Sequence, residues 1–181
     1  MVDVVDISYS QLLWTNNWYV REETLQAATH ALVNYQYSRT LSHYWGDGRF
    51  SSSDGQRFAV AVRTQNATPL PRYFGFGRGL TFLTWTSNQY SQYATLVTPP
   101  THGEAAYTLD KILDNETELD IKEHATDTGG YTDLIFALFD LLGMQFAPRL
   151  KDISDTSLYC IDSKKTYRYI QPIITRKINL H

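Results

Sequence analysis

Apolar positions along this chain change period several times, and each change marks an element. Leu25, Ala28, Leu32 and Tyr35 recur at i, i+3, i+7 and i+10, which predicts one face of a helix. Glu22 and Glu23 precede them, where carboxylates favour a helix N-terminus. A second helix is predicted in front, so that 8–37 holds two. Residues 38–53 read as a loop, with Gly46 and Gly48 flanking Asp47. The run 57–64 is rich in valine, alanine and phenylalanine and predicts a strand. Gly75, Gly77 and Gly79 mark a turn before a second strand at 80–85, and 93–98 predicts a third. Pro99 and Pro100 end it, because proline donates nothing to a ladder. Residues 102–115 predict a helix with Ala105, Ala106, Leu109, Ile112 and Leu113 on one side. A short strand at 120–125 follows, then a turn at Gly129 and Gly130. Thr132 is a candidate cap for a last helix, whose apolar face is Leu134, Ile135, Leu138, Phe139, Leu141 and Leu142. Gly143 suits its C-terminal end, and 158–161 predicts one more strand.

The order is helices, three strands, helix, strand, helix, strand. Runs of strands that then alternate with helices predict a mixed α/β sheet. The ribonuclease H-like fold has this pattern: a three-strand antiparallel meander, then βα units in parallel. On that reading 1–45 is an N-terminal helical segment. Residues 46–181 form a partial ribonuclease H-like catalytic domain, truncated at its C-terminal end.

Composition narrows the class. A chain of 181 residues, 43% apolar and 19% charged, can bury a core and is not expected to be disordered. Its 13 tyrosines and 4 tryptophans are expected mainly in the core and its rim. Cys160 is the only cysteine, which excludes an intrachain disulfide and fits a reducing compartment. There is no run of about 18 apolar residues and no signal-peptide pattern. The expectation is a soluble, cytoplasmic protein with no membrane contact. The net charge of −3 is unevenly spread. Residues 100–127 hold eight acids against two lysines, whereas 149–181 hold seven bases against three acids. An acidic pocket beside a basic tail suits a DNA enzyme that uses cations, and equally an ordinary solvated surface.

Two aspartates stand in marked settings. Asp54 follows Ser51-Ser52-Ser53 and precedes Gly55-Gln56-Arg57-Phe58. Asp127 lies in His124-Ala125-Thr126-Asp127-Thr128-Gly129-Gly130-Tyr131, 73 positions later. Asp127 ends a predicted strand, where ligands gather in α/β sheets. Two carboxylates brought close repel unless a cation sits between them. Mg²⁺ takes hard oxygen ligands, often one or two carboxylates plus substrate phosphates. Two such ions about 3.5–4 Å apart can activate an attacking oxygen and stabilise a leaving one. Residue types and spacing alone leave a turn role open for both, because Asp before Gly is a common turn former.

A resemblance adds to this reading. The stretch Ser51 to Phe58 closely resembles a signature of the transposases of replicative, cointegrate-forming bacterial transposons, the Tn-three family. So do Asn66-Ala67 with Arg72-Tyr73-Phe74-Gly75, Ile112-Leu113-Asp114-Asn115-Glu116-Thr117, and Thr126 to Thr132. Phe136-Ala137-Leu138 and Leu142 to Arg149 extend the match, which runs from about Tyr9 to the C-terminus. Gly129 stands where the family often has alanine.

The resemblance implies a ribonuclease H-like core with a DDE triad, in which Asp54 and Asp127 are the first two acids and metal ligands. It implies Mg²⁺ or Mn²⁺ as cofactor, two ions in the complete enzyme. The implied reaction has two steps: hydrolysis frees a 3′-hydroxyl at each transposon end, and that hydroxyl attacks target DNA. The implied partners are transposon inverted-repeat ends, target DNA and a second copy in a homodimer, with association to the bacterial nucleoid when bound. The third acid is a downstream Glu. Glu22, Glu23, Glu104, Glu116, Glu118 and Glu123 all precede Asp127, so none fits that order. The isolated chain is therefore expected to be a fragment with little or no catalysis of its own. The alternative is a catalytically dead remnant that binds DNA or acts as a dominant negative.

Candidate DNA contacts are Arg57, Arg72, Arg78, Lys164, Lys165 and Arg168. The last three flank Tyr167 and Tyr169, and bases interleaved with aromatics can hold a nucleic-acid backbone. His124 is expected to be packed or solvated rather than a ligand.

Overall fold

The computed structural model describes residues 6–151, 158–160 and 165–177. Two compact units divide the chain, 1–148 and 149–181. The first opens with two helices, α1 (Tyr9–Tyr19) and α2 (Glu22–Tyr37). Then come β1 (Phe50–Val60), β2 (Thr68–Pro69), the single turn α3 (Pro71–Phe74), β3 (Arg78–Ser87) and β4 (Gln92–Thr98). A 3₁₀ turn at Glu104–Tyr107 leads to α4 (Asp110–Leu113), β5 (Glu123–Thr126), α5 (Asp133–Leu141) and β6 (Gln145–Phe146).

β1 runs antiparallel to β3, and β3 antiparallel to both β4 and β2. On its other side β1 runs parallel to β5, and β5 parallel to β6. The sheet is thus an antiparallel meander continued by parallel βα units, the ribonuclease H-like arrangement expected from the element order. Among the described residues no helix is long and apolar enough to cross a membrane.

Alternation along the strands separates two faces. Ser51, Leu83, Trp85, Ser87, His124 and Thr126 are buried, while Ser52, Asp54, Gln56, Phe58 and Phe82 are exposed. The core lies on the buried face. Val33, Leu83, Trp85, Tyr93, Leu109, Ile112, Ile135 and Phe139 form one cluster, so α2, α4 and α5 all cover that side. Thr132 caps α5 by accepting from the Ile135 N–H, as expected. Gly143 follows the helix at φ 69°, where a side chain would strain the turn.

Several expectations are corrected. The first strand is 50–60, not 57–64, so Ser51 to Ser53 are strand residues rather than loop and Asp54 lies within the strand. Partners on both sides hold this polar run extended despite its low β-propensity. The helix expected at 102–115 breaks into a 3₁₀ turn and one turn of α-helix. Thr108 sits at the break. Its carbonyl accepts from the Trp85 indole N–H (3.2 Å), and its hydroxyl donates to the Gly130 carbonyl (3.1 Å). The strand expected at 120–125 is Glu123–Thr126. α2 docks through Val33, with Leu25, Leu32 and Tyr35 exposed, so its expected apolar face points outward. On α5 only Ile135 and Phe139 are buried.

The second unit contains β7 (Leu158–Cys160) paired in parallel with β8 (Ile174–Lys177). The expected strand residue 161 lies outside the described residues.

Candidate active site

The β1–β5 ladder ends with Ser53 opposite Thr126. One step further along each strand stand Asp54 and Asp127. Neighbouring strands lie about 4.8 Å apart, so this register sets the two acids side by side at the C-terminal edge of β5. Both are exposed. Each commits one oxygen to a backbone amide: Gly55 N–H donates to Asp54 Oδ1 and Gly129 N–H to Asp127 Oδ1, both at 2.9 Å. The Asp127 contact caps the 3₁₀ turn Thr128–Gly130. Among the described residues the second oxygen of each carboxylate has no hydrogen bond.

The floor beneath the acids is built from Ser51, Ser53 and His124. The imidazole is fully buried, with Nδ1 2.7 Å from Ser51 Oγ and Nε2 3.0 Å from Ser53 Oγ. Burial lowers its pKa to about 4, so the ring is neutral near pH 7. A neutral imidazole has one donor and one acceptor nitrogen, so one serine accepts from the ring and the other donates to it. His124 also stacks on Phe139, centroids 6.0 Å apart. It is packed, as expected of it, and braces the two strands.

Glu104 is the residue that sequence reasoning set aside. A Cβ built on Gly55 would lie 2.5 Å from its Oε1, and one on Gly129 3.6 Å from its Oε2. Its carboxylate therefore rests between the glycines that follow the two aspartates. Burial raises its pKa, the charges of Asp127 and Asp54 push the same way, and Arg57 opposes them. Arg57 Nη2 is 3.3 Å from Glu104 Oε1. Sequence order hid this residue, because the search for a third acid ran downstream of Asp127. The signal available was the density of acids in 100–127. Among the described residues no three His, Cys, Asp or Glu side chains are arranged to hold a metal ion together.

The remaining candidates divide. The Arg57 guanidinium lies 4.7 Å from the centroid of the Tyr73 ring, and that of Arg72 5.6 Å from the same ring. Arg78 begins β3, exposed, opposite Val60. Lys165 and Arg168 are exposed in the second unit, with Arg168 over the Tyr169 ring at 5.4 Å. Lys164 lies outside the described residues.

The profile of the Tn3 transposase DDE domain family matches residues 1–181. The transposase for transposon Tn1546 of Enterococcus faecium is 42% identical over 173 residues, covering 96% of this chain and 17% of that protein. The transposase for transposon Tn501 of Pseudomonas aeruginosa is 40% identical over 174 residues, 96% of this chain and 18% of that one. The transposase for transposon gamma-delta of Escherichia coli K12 is 39% identical over 157 residues, 87% and 16% respectively. This chain thus spans less than a fifth of the length of these three relatives. A simian T-cell lymphotropic virus intasome in complex with a PP2A regulatory subunit is similar over 58% of this chain and 35% of the matched chain, at 12% identity and TM-score 0.36. With its match along the whole length, the chain belongs to the Tn3 transposase DDE domain family.

Proposed function

We propose that these residues form the catalytic region of a transposase that cleaves DNA at transposon ends and joins the freed 3′-hydroxyls to target DNA. The β1–β5 register carries the reading, because it sets Asp54 and Asp127 side by side at a strand edge. The donor set fits a hard divalent cation. Each carboxylate is exposed, anchored through one oxygen by a backbone amide, and has its other oxygen available. Asp54 and Asp127 would hold Mg²⁺ or Mn²⁺, which when bound supplies the positive charge that polarises attacking and leaving oxygens.

The chain's own residues position and screen. The amides of Gly55 and Gly129 fix the two carboxylates before any substrate arrives, which lowers the reorganisation needed in the transition state. His124, held neutral beneath them, adds no competing positive charge. Arg57 and Arg78, on the C-terminal half of β1 and its partner β3, and Arg72 nearby, offer guanidinium groups to the phosphates of the DNA. Lys165 and Arg168, exposed on the second unit, are further phosphate contacts in this reading. The full reaction belongs to a longer protein, working as a homodimer on transposon ends and target DNA. The third carboxylate of the triad comes from outside these residues.

Calorimetric titration of the 181-residue chain with Mn²⁺ tests this assignment. Binding should occur, and Asp54→Asn and Asp127→Asn should each weaken it at least about tenfold. Variants that bind as tightly as the parent chain would remove the two aspartates from the site.

A further inference from the structure

We propose that Glu104 is a positioning residue of this site: it holds the Arg57 guanidinium against the Tyr73 ring, beside the aspartate pair, where Arg57 meets a backbone phosphate of DNA. This rests on the proposed phosphodiester chemistry and assigns a part to a residue outside the DDE pattern.

The berth is specific. Glu104 opens the 3₁₀ turn after Gly103, and its side chain is only 14% exposed. Thr108, later in the same segment, donates to the Gly130 carbonyl and so ties this turn to the one that carries Asp127. The Glu104 carboxylate then lies over Gly55, in space that any side chain at 55 would occupy. Packing a third carboxylate beside two others is unfavourable, and Arg57 is the cation that offsets it. Arg57 is gripped from two directions, by Glu104 Oε1 at 3.3 Å and by the Tyr73 ring at 4.7 Å. An unheld arginine on a strand face has several rotamers, and fixing one costs side-chain entropy. Here that ordering is complete before DNA binds. Glu104 engages one of the five guanidinium N–H groups, and the others stay available to a phosphate.

A simple charge argument predicts the opposite behaviour, which makes the idea testable. A carboxylate near DNA repels it, so removing the charge should tighten binding. If Glu104 acts through Arg57, removing its charge loosens Arg57 and weakens binding. The experiment is a double-mutant cycle on the 181-residue chain, with a labelled mixed-sequence DNA duplex titrated at several salt concentrations. Arg57→Ala should weaken binding and lower the salt slope by about one. Glu104→Gln should weaken binding roughly three- to tenfold in the parent chain, yet leave it unchanged or tighter in the Arg57→Ala background. Gly55→Ala, which displaces the Glu104 carboxylate without touching either charge, should mimic Glu104→Gln. Thermal melting of each variant separates these effects from unfolding. Tighter binding by Glu104→Gln in both backgrounds would overturn the proposal, and so would an Arg57→Ala variant with unchanged affinity and salt slope. Neither result touches the Mn²⁺ titration, so loss of this inference and loss of the metal-site reading are separable.

Discussion

His124 should contribute acid sensitivity to the folded chain. Its pKa is about 4 in the fold and about 6.5 in an unfolded chain, because burial disfavours the charged ring. A lowered folded pKa gives stability that is fully present above pH 6.5 and lost as pH falls toward 4. The full effect is roughly 3 kcal/mol. Glu104, with its raised pKa, works in the opposite sense, favouring the fold as it becomes protonated. Melting temperature should therefore drop between pH 7 and 5 in the parent chain and drop less in His124→Gln. Parallel pH profiles for the two would assign the acid sensitivity elsewhere. At this scale Asp54 and Asp127 stood out through the resemblance of their motifs to the family's, since residue types and spacing alone left a turn role open for both. The Ser51–His124–Ser53 strut was not legible. Its partners lie more than 70 positions apart, and only the strand register joins them. Glu104 was hidden by order, because it precedes Asp127 in the chain.

Elements were easier to find than to orient. Two N-terminal helices and the last helix were expected and are present, the second and the last read from their period and N-terminal signals. Their docking faces were not readable, since periodicity reports an apolar stripe without saying what covers it. α2 buries Val33, while Leu25 and Leu32 remain 56% and 69% exposed. Leu134, Phe139 and Leu142 shared an expected apolar face on α5, yet Phe139 is fully buried and the two leucines are open. Paired substitutions should resolve this. Phe139→Ala, which empties the stack on His124 and Phe146, should cost about 3–5 kcal/mol of unfolding free energy. Leu32→Ala and Leu134→Ala should each stay within about 0.5 kcal/mol in denaturant titration. Comparable losses at all three positions would contradict the docking seen here. The β1 boundary was misread for a different reason. A run of three serines has low strand propensity, and its extension depends on two neighbouring strands that no local window contains.

The molecule as a whole carries much uncovered apolar surface. α1 has no buried residue, and Leu12, Leu13, Trp14 and Trp18 are all exposed along it. The open sheet face adds Phe58 edge-on to Phe82 at 5.3 Å. Patches of this extent usually mark contact surfaces. The folded chain should accordingly bind a hydrophobic dye such as anilinonaphthalene sulfonate while still unfolding cooperatively. Trp14→Ser with Trp18→Ser should reduce that fluorescence with little change in melting temperature. Dye binding unaffected by these substitutions would place the exposed surface elsewhere. The overall class was legible in the sequence because element order alone separates a meander from βα units. The open surfaces were not, because amphipathic patterns look alike whether a partner covers them or water does.

The parallel pairing of β1 with β5 also has a history in time. The meander of β1, β3 and β4 closes short connections and can form early, whereas Ser53 meets Thr126 only after a loop of about seventy residues has closed. The two acids are then pushed together by a contact that like charges oppose. A chain that has folded only its meander presents one aspartate and no pair. The proposed capacity to hold a cation would thus be gained in the closing stage of folding, and a cation bound there would favour the ladder that made its site.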